Sequence, residues 1–543
     1  MDTENITPEE SETGSVTGSE TESVTETGID SGSEPLSVPD DWYRNFYEIF
    51  VYSFYDSNGD GYGDIKGVIS RLDYIKDMGY NAIWLMPVHP SPSYHKYDVR
   101  DYYDIDPKYG NVDDMKKLFE EAHKRDIRVI MDLVVNHTSK EHKWFIDACR
   151  QIRENGEPSG EHSDYYNFRD TPEYGYAQVT GAQWFYEARF DSGMPDLNLD
   201  NPKVRNEIKD IMQFWFDTGA DGFRLDAVTS YYTGNIGKNV EFLNWLETTA
   251  HSIKEDSFLV GEAWESSDAI IRRYYESGLD SFFIFTMATG EGTIVNRAMS
   301  FSAQTNGSAL TKLMLNLEQT YDTGIMSCFL GNHDTARAAN FLRRSMPERV
   351  KMGAGILAMM PGAVFTYYGE EIGMIGTGAD PNKRIAMLWD GLDTEGYVKN
   401  APSGADTVTA DSYCFPGVAS QQEEADSILN YYKQAMKLRL QNPEIARGTV
   451  EDLQDMDGIE AGGQVSITRR TWNGSSVIVV INLNSGEPET IKLDLNVTGN
   501  VKKKGCLSAY YGVSAGAGED GTAAADEEKE VYVLPPYSVT IFR

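Results

Sequence analysis

The stretch GFRLDAV, residues 222–228, sets Arg224 and Asp226 inside an apolar run that otherwise reads as a buried strand. A buried charge is costly unless it is paired or hydrogen-bonded, so this strand either hides an ion pair or ends at a site. Seven further runs of the same kind flank it: YEIFVYSF (47–54), NAIWLMP (81–87), RVIMDLVVNH (128–137), FLVGEAW (258–264), SFFIF (281–285), IMSCFLGNHD (325–334) and AVFTYYGEE (363–371). Amphipathic stretches such as DIKGVISRLDYIKDMG and VDDMKKLFEEAHKRD separate most of them, the alternation of parallel strands with crossover helices. Eight such units predict the α/β class and a closed (β/α)8 TIM barrel over residues 42–446, with its active site at the C-terminal ends of the strands.

Two departures from the alternation define further regions. Residues 137–200, rich in aromatics and Gly, are too long for a loop between the third and fourth strands and predict an inserted subdomain on the catalytic face. Beyond residue 446 the runs QVSITRRTW, SSVIVVINL, TIKLDL and VYVLPPYSVTIFR alternate in hydropathy between turn residues, which predicts a C-terminal antiparallel β-sandwich over 447–543.

The first 41 residues hold 12 Asp or Glu and no Lys or Arg, and their Ser, Thr, Glu and Gly have almost nothing to bury. They are expected to be a disordered spacer, of the sort that suits an enzyme tethered outside a cell. The net charge of −37 argues against a nucleic-acid partner and gives no support for an anionic membrane surface. No apolar run reaches the length of a transmembrane span. The four widely spread Cys show no CxxC pairing, so neither a zinc site nor a disulfide framework is indicated. Aromatic residues at 12% suit surfaces that stack on flat apolar faces, sugar rings included.

The polar residues at the predicted strand ends converge on one mouth. They are Asp132, Asn136 and His137 on the third strand, Arg224 and Asp226 on the fourth, Glu262 on the fifth, and His333 and Asp334 on the seventh. Carboxylates on separate strands without a metal-ligand cluster fit glycoside chemistry. There, one ionised carboxylate faces the anomeric carbon and one protonated carboxyl faces the leaving oxygen. Arg224 beside Asp226 favours the ionised form, and the apolar setting of Glu262 favours the protonated one.

These residues carry a family resemblance. DLVVNHT (132–138), GFRLDAV (222–228), GEAW (261–264) and FLGNHD (329–334) resemble the four conserved segments of the α-amylase family of retaining glycoside hydrolases, in the right order. MPDLN (194–198) is similar to the segment that closes that family's inserted domain B. The resemblance covers residues 42–540 and lies between the oligo-1,6-glucosidase branch and the amylase and neopullulanase branch. It implies Asp226 as nucleophile, Glu262 as general acid/base and Asp334 as stabiliser of the distorted sugar. Arg224, His137 and His333 would bind that sugar. YHKYDVRDY resembles the family's HGYD segment and implies Tyr97 as its stacking platform and Asp98 as a hydroxyl ligand. RIAMLWD resembles the RTPMQWD segment and makes Arg384 the partner of Asp98.

Thr229 and Ser230 stand where many endo-acting amylases carry Lys and His, which there serve the leaving-group side and a calcium. A different calcium signal lies in DSNGDGYGD (56–64), which sets Asp56, Asn58, Asp60 and Asp64 at loop positions 1, 3, 5 and 9, with the Tyr62 carbonyl at position 7. Position 12 is Gly67, so the loop is no complete EF-hand, but it resembles the calcium loop of the oligoglucosidase branch, where Ca2+ is structural. The expected activity is hydrolysis of α-1,4 bonds in an α-glucan substrate, starch or maltooligosaccharides, by a monomer. Exo-acting α-glucosidase or oligo-1,6-glucosidase action, or transglycosylation, would use the same acids. A non-catalytic sugar-binding relative would have lost one of them, and all three are present.

Overall fold

The computed structural model describes residues 40–288, 290, 305–321, 323–342, 346–499, 501–510, 512–513 and 529–543. The expected spacer therefore lies outside the described residues, apart from Asp40 and Asp41.

All eight expected strands are present and parallel: Asn45–Ile49, Ala82–Leu85, Arg128–Leu133, Gly222–Leu225, Phe258–Gly261, Ser281–Phe283, Ile325–Phe329 and Ala363–Tyr367. They pair in sequence order, and the first closes on the eighth, with Asn45 opposite Val364 and Tyr47 opposite Thr366. Each ladder stops short of the run that predicted it. The third ends at Leu133 rather than at residue 137, and the seventh at Phe329 rather than at 334. The residues beyond leave the pleat and turn over the mouth, where barrel enzymes build their sites.

An aromatic column fills the barrel. Phe46 stacks on Phe365 at 4.2 Å, and Phe258, Phe283 and Phe329 continue the packing. Trp84 tops the column, sending its indole N–H to Asp132 Oδ2 at 3.3 Å. Gly222 is required where the fourth and fifth strands meet, because a Cβ there would lie 2.0 Å from the Phe258 carbonyl oxygen. Amphipathic helices wrap the outside. Val112–His123 begins on Asn111, whose side chain accepts the Asp114 N–H, and buries Met115, Leu118, Phe119 and Ala122. Pro202–Thr218 begins on Asn201 with proline at its first position.

Between the third and fourth strands the chain forms the helix Lys143–Asn155 and a small antiparallel sheet of Phe168–Arg169, Phe185–Glu187 and Tyr176–Gln178. It returns to the mouth through bridges that pair His137 with Asp196 and Tyr166 with Leu197. A C-terminal antiparallel sheet of six strands packs one face on the barrel and the other on a two-stranded sheet of Glu489–Asp494 and Lys529–Leu534. Val477, Val479, Ile481, Val539 and Ile541 join the barrel's own core. The run VYVLPPYSVTIFR divides at its Pro-Pro into two strands, and Lys503–Ser508, whose basic start hides its character, is a strand the hydropathy pattern missed.

Candidate active site

Arg224 answers the question raised by its strand. Its guanidinium is buried, 1% exposed, and meets three carboxylates: Nη1 donates to Asp132 Oδ1 at 2.8 Å and to Asp226 Oδ1 at 2.7 Å, while Nη2 lies 2.8 Å from Glu262 Oε1. The last contact lacks hydrogen-bond alignment, and Glu262 is held instead through Oε2, which accepts the Ala227 N–H at 3.0 Å. Ala227 adopts φ 47°, a left-handed conformation that favours glycine, so the backbone beside Asp226 is strained to aim that N–H at Glu262. Burial raises the carboxyls of Asp132 and Glu262 to about 7, with the charge of Asp226 adding to the effect and Arg224 opposing it. One cation among three acids leaves the cluster short of positive charge, and Asp132 and Glu262 are its two members that burial inclines to hold a proton.

A second network flanks the first. His333 is fully buried; its Nδ1 lies 2.6 Å from Glu48 Oε1, and its Nε2 lies 2.9 Å from Asp334 Oδ2 and 2.7 Å from the Tyr97 hydroxyl. Burial alone would lower the imidazole, but Asp334 and Glu48 outweigh it and raise it to about 9. Asp334 is held well below the usual carboxylate range, against burial, by His333 and Arg384. Tyr97 lies flat against the His333 ring, with centroids 5.7 Å apart. Asp132 and Glu48 are the two members of these networks that sequence reasoning left without a role. The signal for both was the one that flagged Arg224, a charge inside an apolar strand.

Asp98 and Arg384 correct one expectation: they do not pair. Asp98 Oδ1 accepts the hydroxyls of Ser91, at 2.6 Å, and Ser93, whereas Arg384 Nη2 donates to Asp334 Oδ1 at 2.7 Å. Two local hydroxyls already satisfy Asp98, and the guanidinium takes the ionised carboxylate nearer to it. His137 closes the mouth on the inserted segment. Burial keeps its imidazole below the ordinary value, and its Nε2 is buried without a hydrogen-bond partner among the described residues. Such an atom is costly until a ligand hydroxyl meets it. Thr229 and Ser230 follow Asp226, and Ser230 opens on a cleft of about 330 Å³ whose walls include Asn198, Asp200, Tyr232 and Lys238.

The loop after the first strand folds on its own acids. Asp56 accepts the N–H groups of Asn58, Gly59 and Gly61 at 3.2, 2.7 and 2.7 Å. Asn58 Oδ1 accepts Asp60 N–H, and Asp60 Oδ1 accepts Tyr62 N–H, both at 2.9 Å. Asp64 caps the next helix through Gly67 N–H at 2.7 Å and also accepts from Ser57. Among the described residues no Lys, Arg or His pairs with Asp56, Asp60 or Asp64. The donors are hard oxygens on a tight loop without a cation of the protein's own, which fits calcium rather than a softer metal.

The comparisons agree with this geometry. Residues 48–448 match the family model for the alpha amylase catalytic domain. Alpha-amylase 3 of Dictyoglomus thermophilum is 34% identical over 500 residues, covering 90% of each chain. An oligo-1,6-glucosidase of Parageobacillus thermoglucosidasius is 31% identical, covering 88% of this chain and 94% of its own. The solved structure of Eubacterium rectale Amy13B superposes with a TM-score of 0.84 at 37% identity, covering 94% of this chain and 96% of the other. With a matching catalytic domain, a closed barrel and three acids gathered on one arginine, the chain belongs to the α-amylase family and is a glycoside hydrolase.

Proposed function

We propose that the enzyme hydrolyses α-1,4-glucosidic bonds of starch and maltooligosaccharides with retention, through a covalent glycosyl-enzyme intermediate. Asp226 attacks the anomeric carbon, and Glu262 protonates the leaving oxygen, then deprotonates the incoming water. Asp334 hydrogen-bonds the sugar hydroxyls as the ring flattens toward the oxocarbenium-like transition state. The observation that carries this reading is that Asp226 and Glu262 sit on the two terminal nitrogens of one guanidinium while Glu262 alone also takes a backbone N–H. Retention needs the two carboxyl groups only ~5–5.5 Å apart, so that Asp226 attacks in place of water. Arg224 attracts the charge of Asp226, and the raised carboxyl of Glu262 supplies the proton near neutral pH.

Tyr97 offers its ring to the sugar at the cleavage point, and His137 Nε2 and His333 meet its hydroxyls. Phe190, 51% exposed against His137, and Trp264, 39% exposed on Phe285, add flat faces at the rim. Asp98 and Arg384 lack the contact that would favour exo action, which supports endo cleavage. Asp56, Asn58, Asp60, Asp64 and the Tyr62 carbonyl would hold a structural calcium, which would tie the loop and is not needed to activate water in a two-carboxylate mechanism. A single chain supplies every group required, so the reading needs no second copy, and the acidic first 41 residues suit a spacer outside the cell.

Incubation with maltoheptaose, pullulan and isomaltose, with the product anomer followed by proton NMR, tests the reading. It expects the α-anomer first from internal α-1,4 bonds. Initial β-anomer would overturn retention, and turnover of isomaltose alone would move the enzyme to the α-1,6 branch.

A further inference from the structure

Glu48 lies in the middle of the first strand, 1% exposed, with no reason of packing to be charged. Its Oε1 is 2.6 Å from His333 Nδ1, on the far side of the ring from the sugar. A carboxylate that accepts at Nδ1 obliges that nitrogen to carry a hydrogen, and its charge favours a second hydrogen on Nε2. Nε2 in turn faces Asp334 and Tyr97, both of which are assigned to the sugar in the reading above. We propose that Glu48 is a positioning residue: it fixes His333 as a double donor, Nδ1–H toward itself and Nε2–H toward Asp334 and the hydroxyl of the bound sugar. The inference rests on the retaining-hydrolase reading for its consequence in catalysis, but not for its geometry.

Two anions draw protons to His333, Asp334 on the side of the sugar and Glu48 behind the ring, and Glu48 is the one that does not itself face the sugar. On the side of the sugar the ring meets Asp334 and Tyr97; Asp132 and Glu262 act from farther strands, and burial raises both to about 7, which weakens their charge near neutral pH. Arg384 reaches His333 at its carbonyl oxygen, at 3.2 Å, rather than at the ring, and Arg224 turns its terminal nitrogens toward the three acids. Trp84 and Tyr367 present ring edges or faces to the imidazole, not acceptors. Neutral His333 with Nε2 bare would be an acceptor set against the Asp334 carboxylate, which would repel that carboxylate from the position it needs. Glu48 prevents this from behind, and the cationic ring lies where sugar hydroxyls gather.

Glu48→Gln tests the proposal, since the amide oxygen still accepts from Nδ1 and only the charge is lost. Labelled imidazole is titrated by NMR in the wild type and in Glu48→Gln, with His333→Asn identifying the signal. The wild-type midpoint is expected to lie well above neutral and to fall by ~1 unit or more in the variant. A midpoint that moves by less than ~0.3 unit overturns the proposal whatever the enzyme cleaves. The second readout is kcat/KM on α-glucosyl fluoride, whose departure needs no proton from Glu262. Its alkaline limb should move to lower pH in Glu48→Gln and return in Glu48→Asp if the shorter acid still reaches. A limb that stays in place while the midpoint moves would deny His333 its part in turnover. If the wild type turns over no α-glucoside at all, the hydrolase reading fails, and the NMR titration alone still decides the role of Glu48.

Discussion

The fourth strand is charged at both ends, and the ends differ. At its base Asp221, fully buried, accepts from His123 Nε2 at 2.7 Å, Arg128 Nη1 at 3.1 Å, Lys254 Nζ at 2.9 Å and the Val129 N–H at 2.8 Å. These partners hold its carboxyl well below the ordinary value against burial. At its top Arg224, three residues on, serves Asp132, Asp226 and Glu262. The base sets two cations and an imidazole on one acid, and the mouth sets one cation among three acids. His251, also at the base, has the reverse ratio. Its Nε2 lies 2.9 Å from Glu247 and 3.3 Å from Asp280, which raise the imidazole to about 10 and pin a helix to the sixth strand. A saturated network stabilises, whereas an under-compensated one retains protons and charge that chemistry can use.

The comparison can be broken most sharply by exchanging charge at each end. Asp226→Asn should lower kcat/KM on maltooligosaccharides by ~10³-fold or more, equivalent to ~4 kcal/mol of transition-state stabilisation, with the melting temperature little changed. Glu262→Gln should cost ~10²–10⁴-fold on the same substrate and far less on an activated aryl glucoside, whose leaving group needs no proton. Equal losses on both substrates would remove Glu262 from the acid role. Asp221→Asn should do the reverse. It leaves Arg128, Lys254 and the His123 imidazole around a neutral amide, and its unfolding free energy should fall by ~3–5 kcal/mol, while activity per folded molecule stays within about twofold of the wild type.

Acid and base act on the two ends in opposite directions. The folded value of Asp221 lies below its unfolded value, so its contribution is full at neutral pH and is lost as pH falls below ~4 and through the folded value. The stability deficit of Asp221→Asn should therefore shrink in acid, which denaturant titrations at pH 3 and 7 would show. For Asp132 and Glu262 the folded value, about 7, lies above the unfolded one, so the folded state keeps protons that the unfolded state releases. Their contribution is lost as pH rises from ~4 to 7, and kcat/KM on maltooligosaccharides should decline as pH rises through about 7. The smallest effect belongs to the proposed calcium loop after the first strand, which makes no ion pair or hydrogen bond with the three acids or with Arg224. A hundredfold excess over Kd should add ~2.7 kcal/mol to stability, and Asp60→Ala should abolish that shift in a melting experiment while leaving turnover at low temperature intact.

The barrel was legible because parallel buried strands read as apolar runs, and eight of them leave few alternatives. Their C-terminal ends were overestimated at the functional positions: Asn136, His137, His333 and Asp334 extend strand-like runs in sequence but leave the ladder in space. The three acids were visible as charges in apolar surroundings. Glu48 carried the same mark in YEIFVYSF, but its partner lies 285 positions away, and hydropathy reports no partners. The contact of Arg384 with Asp334 was hidden for a similar reason, since segment resemblance places residues at a mouth without saying which carboxylate is nearer. Ala227 gave no signal, because an alanine at positive φ is indistinguishable from any other in sequence.

The last strand of the C-terminal sheet, Ser538–Phe542, is an interior one. It pairs with Ser475–Asn482 on one side and Lys503–Ser508 on the other, setting Ile541 between Val479 and Gly505. During synthesis the ribosome delivers these five residues after every other strand of the sheet has emerged. Until then the two neighbours have no common partner, and Ser475–Asn482 presents an unpaired edge of apolar, β-branched residues, the surface on which nascent chains aggregate. The barrel has its eighth strand some 170 residues earlier, and so can close first. Translation thus gives the enzyme its catalytic mouth before the sheet that braces it, and the interval between the two is when a chaperone would have most to protect.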